Sequence, residues 1–135
     1  MSDAALLETI DPRALRDCCG RFATGVTVIT TRTAEGDHGM TVSAFMSVSL
    51  DPPLIAISLN RQSKMLGKVQ TSGRYAVNVL SQDMHLHALH FAGRPNDALA
   101  DLFLDRHGLP ILRNAAAVML ADVVQQVETG DHVMF

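Results

Sequence analysis

The stretch TVSAFMSVSLDPP, residues 41–53, alternates small hydroxyl residues with apolar ones and then meets two consecutive prolines. Alternation with a period of two marks a strand with one wet and one dry face. The pattern extends from Met40 to Leu50, and Asp51-Pro52-Pro53 cannot continue a paired strand because proline lacks the amide donor that a ladder needs. A turn is expected there. Upstream, Val26–Thr31 (VTVITT) is β-branched throughout, and the charged, glycine-containing stretch Arg32–Gly39 supplies a turn, which together read as a hairpin. Downstream, Leu54–Leu59 is an apolar run of strand length, Tyr75–Leu80 is a further strand, and Val118–Val127 reads as a long one. Thr129-Gly130-Asp131 forms a turn, and His132–Phe135 opens a last strand.

Helical signals are fewer. Asp11 can cap a helix that Pro12 begins, with Leu15, Cys18, Cys19 and Phe22 at helical spacing, and Ser63 can start another that carries Lys64, Met65, Leu66 and Lys68. Gln82–Phe91 reads as a third, followed by an exposed loop over Gly93–Asp97. Several short strands with few, irregularly placed helices predict a mainly β protein, a closed or nearly closed barrel with helical decoration. A doubly wound parallel sheet fits poorly, since strands and helices do not alternate and no glycine-rich phosphate turn follows the first strand.

A length of 135 residues suits one domain, and 47% hydrophobic with 19% charged residues is the balance of an ordinary globular chain. A formal net charge of −3 argues against nucleic acid, which demands clustered Lys and Arg. Apolar runs stop well short of the ~20 residues of a membrane span. The N-terminus has no basic region ahead of an apolar stretch, so no membrane and a cytoplasmic location are expected. The adjacent Cys18 and Cys19 make a poor disulfide and no metal spacing, and read as core packing.

Several motifs fail on inspection. GRFATGVT, residues 20–27, approaches the phosphate-loop pattern, but Val26 stands where a lysine must reach the phosphates. No G-x-S-x-G elbow is present. In HLHALH, residues 85–90, histidines two apart on a helix face away from each other, leaving only His87 and His90 on one side, and no metal is predicted. Thr41, Ser43, Ser47 and Ser49 offer hydroxyls and small bulk for close approach to a flat ligand, although by composition alone the segment is an ordinary half-buried strand.

Four separated motifs in the same order, RFATGVTVITT, TVSAFMSVSLDPPL, YAVNVLS with a following FAGR, and GDH near the end, resemble the flavin reductase family of FMN-binding split barrels. The resemblance runs from about Asp11 to the last residue. It implies a split β-barrel with a few peripheral helices that forms a homodimer, binds FMN or FAD near the dimer interface, and takes hydride from NADH or NADPH. Carried over residue by residue, Thr41, Val42, Ser43, Ala44, Phe45, Met46, Ser47 and Ser49 would line the flavin. Ser58, Leu59, Asn60, Ser63 and Lys64 would form a second wall, with Lys64 balancing phosphate charge. Asn78, Val79, Phe91 and Ala92 match further contacts, and Gly25 and Val26 would approach the ring from below. Asn78 reads alternatively as the satisfier of a buried amide network, and Val79 and Phe91 as core. In Gly130-Asp131-His132 the histidine would contact the nicotinamide.

The implied activity is NAD(P)H-dependent reduction of FMN or FAD that supplies reduced flavin to a partner monooxygenase. The alternatives are a flavoprotein that keeps FMN and reduces another acceptor, and a non-enzymatic flavin-binding protein. Family members continue past GDH through further strand and a tail, whereas this chain stops at Phe135. The resemblance therefore implies one domain over residues 1–135 that lacks the usual C-terminal strand and tail.

Overall fold

The computed structural model describes residues 9–135. Among the described residues, ten strands and three helices follow one another as α1 (Pro12–Cys19), β1 (Thr27–Thr33), β2 (Gly36–Val42), β3 (Phe45–Leu50), β4 (Pro53–Asn60), α2 (Lys64–Ser72), β5 (Arg74–Val79), α3 (His85–His90), β6 (Phe103–Arg106), β7 (Leu109–Leu112), β8 (Ala117–Asp122), β9 (Val127–Thr129) and β10 (His132–Met134). They make two four-stranded sheets, β2-β1-β5-β8 and β3-β4-β10-β9, and a separate β6-β7 hairpin. Within the two large sheets every pairing is antiparallel. The sheets do not close into one cylinder, and the result is a split barrel.

The predicted Met40–Leu50 strand is two strands in different sheets. Val42 is the last residue of β2 to pair, with Thr27, and Phe45 is the first of β3 to pair, with Ile57. Between them the Ser43 carbonyl accepts from the Phe45 amide at 2.9 Å and the Ala44 carbonyl from the Ser58 amide at 3.1 Å. The expected Arg32–Gly39 turn is much tighter, because β1 and β2 pair out to Thr33 and Gly36. Asp51 and Pro52 form the turn after β3, but Pro53 already belongs to β4 as its first residue, where a missing amide costs least. The long Val118–Val127 strand ends at Asp122, and β9 begins at Val127.

The main core lies between the two sheets and α2, where Ile29, Ile57, Leu59, Met65, Val69, Tyr75, Val77 and Val133 are buried. Ser63 caps α2 by accepting the Leu66 amide at 3.3 Å, a contact typically worth ~1 kcal/mol. The opposite face of β1 and β5 is buried as well, by α3 and by the β6–β7 hairpin, which occupies residues where the sequence offered no element. This double burial explains why β1 is β-branched at every buried position instead of alternating.

Asn78 joins these layers. Its Nδ2 donates to the Val28 carbonyl at 2.8 Å and to Thr30 Oγ1 at 3.0 Å, and its Oδ1 accepts the Leu112 amide at 2.8 Å. Thr30 Oγ1 in turn donates to the Pro110 carbonyl at 2.5 Å. The side chain is fully buried with its polar atoms committed, so it is a structural bridge and not a surface ligand group.

One expectation fails outright. Cys18 and Cys19 are exposed, as are Leu15 at 54% and Phe22 at 78%, and α1 buries no residue of its own. The apolar stripe is present, but no element among the described residues lies over it.

Replacing Asn78 by leucine should destabilise the protein by ~2–4 kcal/mol, because the buried Leu112 amide loses its acceptor. Urea unfolding monitored by far-UV circular dichroism measures this, and a loss under ~0.5 kcal/mol would contradict the bridging role.

Candidate flavin site

A hollow of about 640 Å3 lies where β2 passes the C-terminal end of α3 and the start of α2. From the predicted set it gathers Thr41, Ser63, Lys64, Phe91 and Ala92. It adds His38, Gly39, Met40, His90, Gly93 and Pro95, and among the described residues no carboxylate lines it.

Gly39 decides the shape of its floor. A Cβ there would stand 2.8 Å from the Phe91 ring, so only glycine lets the ring lie against the strand. The Phe91 carbonyl accepts the Thr41 amide at 3.0 Å, and Thr41 Oγ1 donates to the Ala88 carbonyl at 2.6 Å. The Thr41 hydroxyl proton, expected to serve a ligand, thus ties α3 to β2. His90 stacks edge-on against Phe91 with ring centroids 4.8 Å apart, while its Nδ1 accepts the Asn96 amide at 2.9 Å and holds the loop that carries Gly93 and Pro95. Phe91 also packs on Phe103 of the hairpin.

The charge of the cleft is positive. His38, half-buried on β2, has its pKa pushed below the ordinary imidazole range by burial, then by the Lys68 and Lys64 ammonium groups. At neutral pH it is therefore an uncharged donor and acceptor beside two cations.

The other predicted residues are not brought into this cleft. Ala44, Phe45, Met46 and Ser58 line a separate hollow of about 190 Å3 with Ala56, Ile57 and Met134. Gly25 and Val26 line a third, of about 310 Å3, beside α3. Val42 and Leu59 are buried in the core, Val79 packs against it, and Asn78 is the bridge described above, so these four side chains do not reach a surface ligand. Ser43, Ser47 and Asn60 are exposed and Ser49 is half-buried. Asn60 Oδ1 accepts the Gln62 amide at 2.8 Å and shapes the turn into α2.

His132 pairs with Asn60 across β10 and β4, next to that turn. Its Nδ1 lies 2.8 Å from Asp131 Oδ1. The contact with His132 holds the Asp131 carboxyl below its usual range, so the carboxylate is ionised and Nδ1–H must be the donor. Nε2 is not engaged in that contact. Arg61 secures the neighbourhood by donating from Nε to the Gly130 carbonyl at 2.8 Å and from its amide to the Asp131 carbonyl at 2.9 Å.

The sequence reading missed His38 and Gly39 by placing them in a turn, and missed His90 by weighing HLHALH only as a metal site. The faint signal was the pair Gly39 and Phe91, a glycine inside a strand and an aromatic residue at a helix end, which only the tertiary structure brings together. Among the described residues, no three His, Cys, Asp or Glu side chains are placed to share a metal ion, and no helix is long and apolar enough to cross a membrane.

A flavin asks for a flat apolar slot, polar groups at its edge and a cation for its phosphate. Phe91 with Met40 and Ala92, then Thr41 with Ser63, then Lys64 supply the three in that order, with His38 as a neutral polar group beside the lysine, so the residues fit the group.

A split barrel carrying such a cleft defines a flavin-handling class, and comparison with known proteins is specific. Residues 19–135 match the family described as flavin reductase like domain, and the chain belongs to that family. It is 40% identical over 128 residues to an NADH-dependent flavin reductase of Rhodococcus sp, spanning 93% of this chain and 73% of that one. Over 87 residues it is 40% identical to the reductase component of 4-hydroxyphenylacetate 3-monooxygenase of Thermus thermophilus, covering 64% of this chain and 58% of that one. The solved structure of the flavin reductase PheA2 superposes with a TM-score of 0.87 at 46% identity, over 93% of this chain and 82% of that one.

An NMR titration of His38 should give a midpoint below the ordinary imidazole value, and Lys68→Met should move it upward by removing one repelling charge. An unmoved midpoint in the variant would remove Lys68 from the surroundings of the cleft.

Proposed function

We propose that the chain binds oxidised FMN or FAD in the Phe91–Lys64 cleft, admits NADH beside it, and releases reduced flavin to an oxygenase partner in the cytoplasm. The observation that carries the binding site is the carboxylate-free cleft whose aromatic floor exists only because residue 39 is glycine. Bound flavin supplies the two-electron acceptor for hydride, so the chain need only hold, orient and exclude water. Phe91, fixed by Gly39 and His90, offers the face on which a ring can stack. Lys64 neutralises the phosphate, and Ser63, whose hydroxyl caps α2 and donates to the Asn60 carbonyl at 2.8 Å, fixes the helix start that carries the lysine. His132, oriented through Nδ1 by Asp131, presents Nε2 to the nicotinamide as a positioning donor or acceptor. Exposed walls at Lys64, Ala92 and Gly93 favour exchange of flavin over permanent retention.

Anaerobic mixing of the protein with NADH and excess flavin tests this directly. Flavin absorbance should bleach, with the reduced flavin recovered in the filtrate after the protein is removed. Bleaching confined to the protein, or none, would contradict the proposal. In the same assay His132→Ala should raise KM for NADH about tenfold and leave the flavin Kd within about twofold; equal losses of both would displace His132 from the nicotinamide.

A second copy of the chain is part of this reading. The edge strand β3 exposes Met46 and Val48, each at 52%, and Leu50 at 96%, and α1 exposes Leu15 and Phe22. An apolar strand edge of this kind invites pairing. Residues of the resemblance-derived set that this chain leaves apart, Ser43 to Ser47 among them, would be brought against a flavin by a partner's surface. Sedimentation velocity should show a dimer for the native chain and a monomer for Val48→Lys, whereas a native monomer would exclude the arrangement.

A further inference from the structure

A second groove, of about 480 Å3, adjoins the cleft and shares Lys64 with it; its other walls are Thr33, Glu35, Gly67, Lys68 and Thr71. Two features mark it as more than a surface furrow. The first is Lys68, whose side chain is only 18% exposed, an uncommon state for a lysine without a strong partner. Among the described residues its ammonium meets only Glu35, at 3.4 Å, and that carboxylate is 83% exposed, so the pair contributes little and is easily exchanged. Lys64 lies one turn before Lys68 on α2, and both ammonium groups act on His38. Such a cluster of positive groups is relieved by a multiply charged anion.

The second feature is Gly67. It sits in the interior of α2, where glycine costs about 1 kcal/mol relative to alanine. A Cβ at this position would meet no atom within 4 Å, and its backbone is ordinary helix, so neither packing nor conformation requires glycine there. What the missing side chain does is keep the groove floor clear between the two lysines.

We propose that the groove over Gly67 and Lys68 receives the second phosphate and nucleoside end of a flavin dinucleotide, which makes Lys68 the residue that selects FAD over FMN. The inference rests on the flavin reading of the adjoining cleft. The first phosphate lies at Lys64, on the boundary both hollows share. The second reaches Lys68 by displacing the exposed Glu35 carboxylate, and Thr33 and Thr71 flank the path beyond it.

The test measures Kd for FMN, FAD and NADPH by fluorescence titration on the native chain, Lys68→Met and Gly67→Leu. Methionine keeps an apolar stem in place of the lysine, and leucine fills the groove floor away from the buried Met65 and Val69 of α2. Each variant should weaken FAD by about tenfold and leave FMN within about twofold. Parallel changes for FMN and FAD, an unchanged FAD affinity in both variants, or a change confined to NADPH would overturn the assignment while the native chain still binds flavin. A native chain that binds neither flavin would overturn the cleft reading itself.

Discussion

The structure depends on the passage of the chain from one sheet to the other at Ser43 and Ala44. β2 ends when Thr27 Oγ1 donates to the Val42 carbonyl at 2.6 Å, and β3 begins three residues later, at Phe45. The step between them is short, and it is held by the Ala44 carbonyl accepting the Ser58 amide. Small side chains suit a crossing where two sheets approach this closely. Because one continuous segment serves both sheets, the cleft at His38–Thr41 and the apolar hollow at Ala44–Met46 are fixed relative to each other.

That crossing would be soft if the first sheet were free to move. It is not, since β1 and β5 are buried on both faces, by α2 and the second sheet on one side and by the β6–β7 hairpin and α3 on the other. Arg32 reinforces the hairpin from outside, bonding Asp37 at 2.7 Å and Asp105 at 2.5 Å. These ion pairs are exposed and contribute modestly, whereas the Asn78 bridge is buried and cannot be replaced by water. The same hairpin supplies Phe103 against Phe91, so the floor of the cleft is supported by a layer that does not itself line it.

Much of this was legible in the sequence. β-branched VTVITT, the YAVNVL run and the capping residues Asp11 and Ser63 each carry local information, and the structure forms their elements close to the expected places. The break at Ser43–Ala44 was not legible, because alternation of hydroxyl and apolar residues continues across it and a change of sheet leaves no mark in periodicity. The β6–β7 hairpin was missed because its strands are short and one contains Pro110. For the site, the motif-bearing residues Thr41, Ser63, Lys64, Phe91 and Ala92 do converge, since they flank the ends of elements that meet at one edge. His38, Gly39 and Lys68 carry no motif of their own. Their meaning arises from burial, from a neighbour's ring and from one another's charge, none of which a linear reading contains. Cys18 and Cys19 teach the converse: helical spacing of apolar residues marks a stripe, but it does not say which element, if any, packs on it, and among the described residues none does.

The central claim, that flavin lies on Phe91 between His38 and Lys64, is tested most directly by following backbone amide resonances of the isotopically labelled protein during an anaerobic FMN titration. The account predicts the largest shifts at residues 38–41, 63–64 and 90–93, with β6, β7 and β8 nearly silent. Shifts centred on β8 and β9, with the cleft residues unmoved, would contradict it.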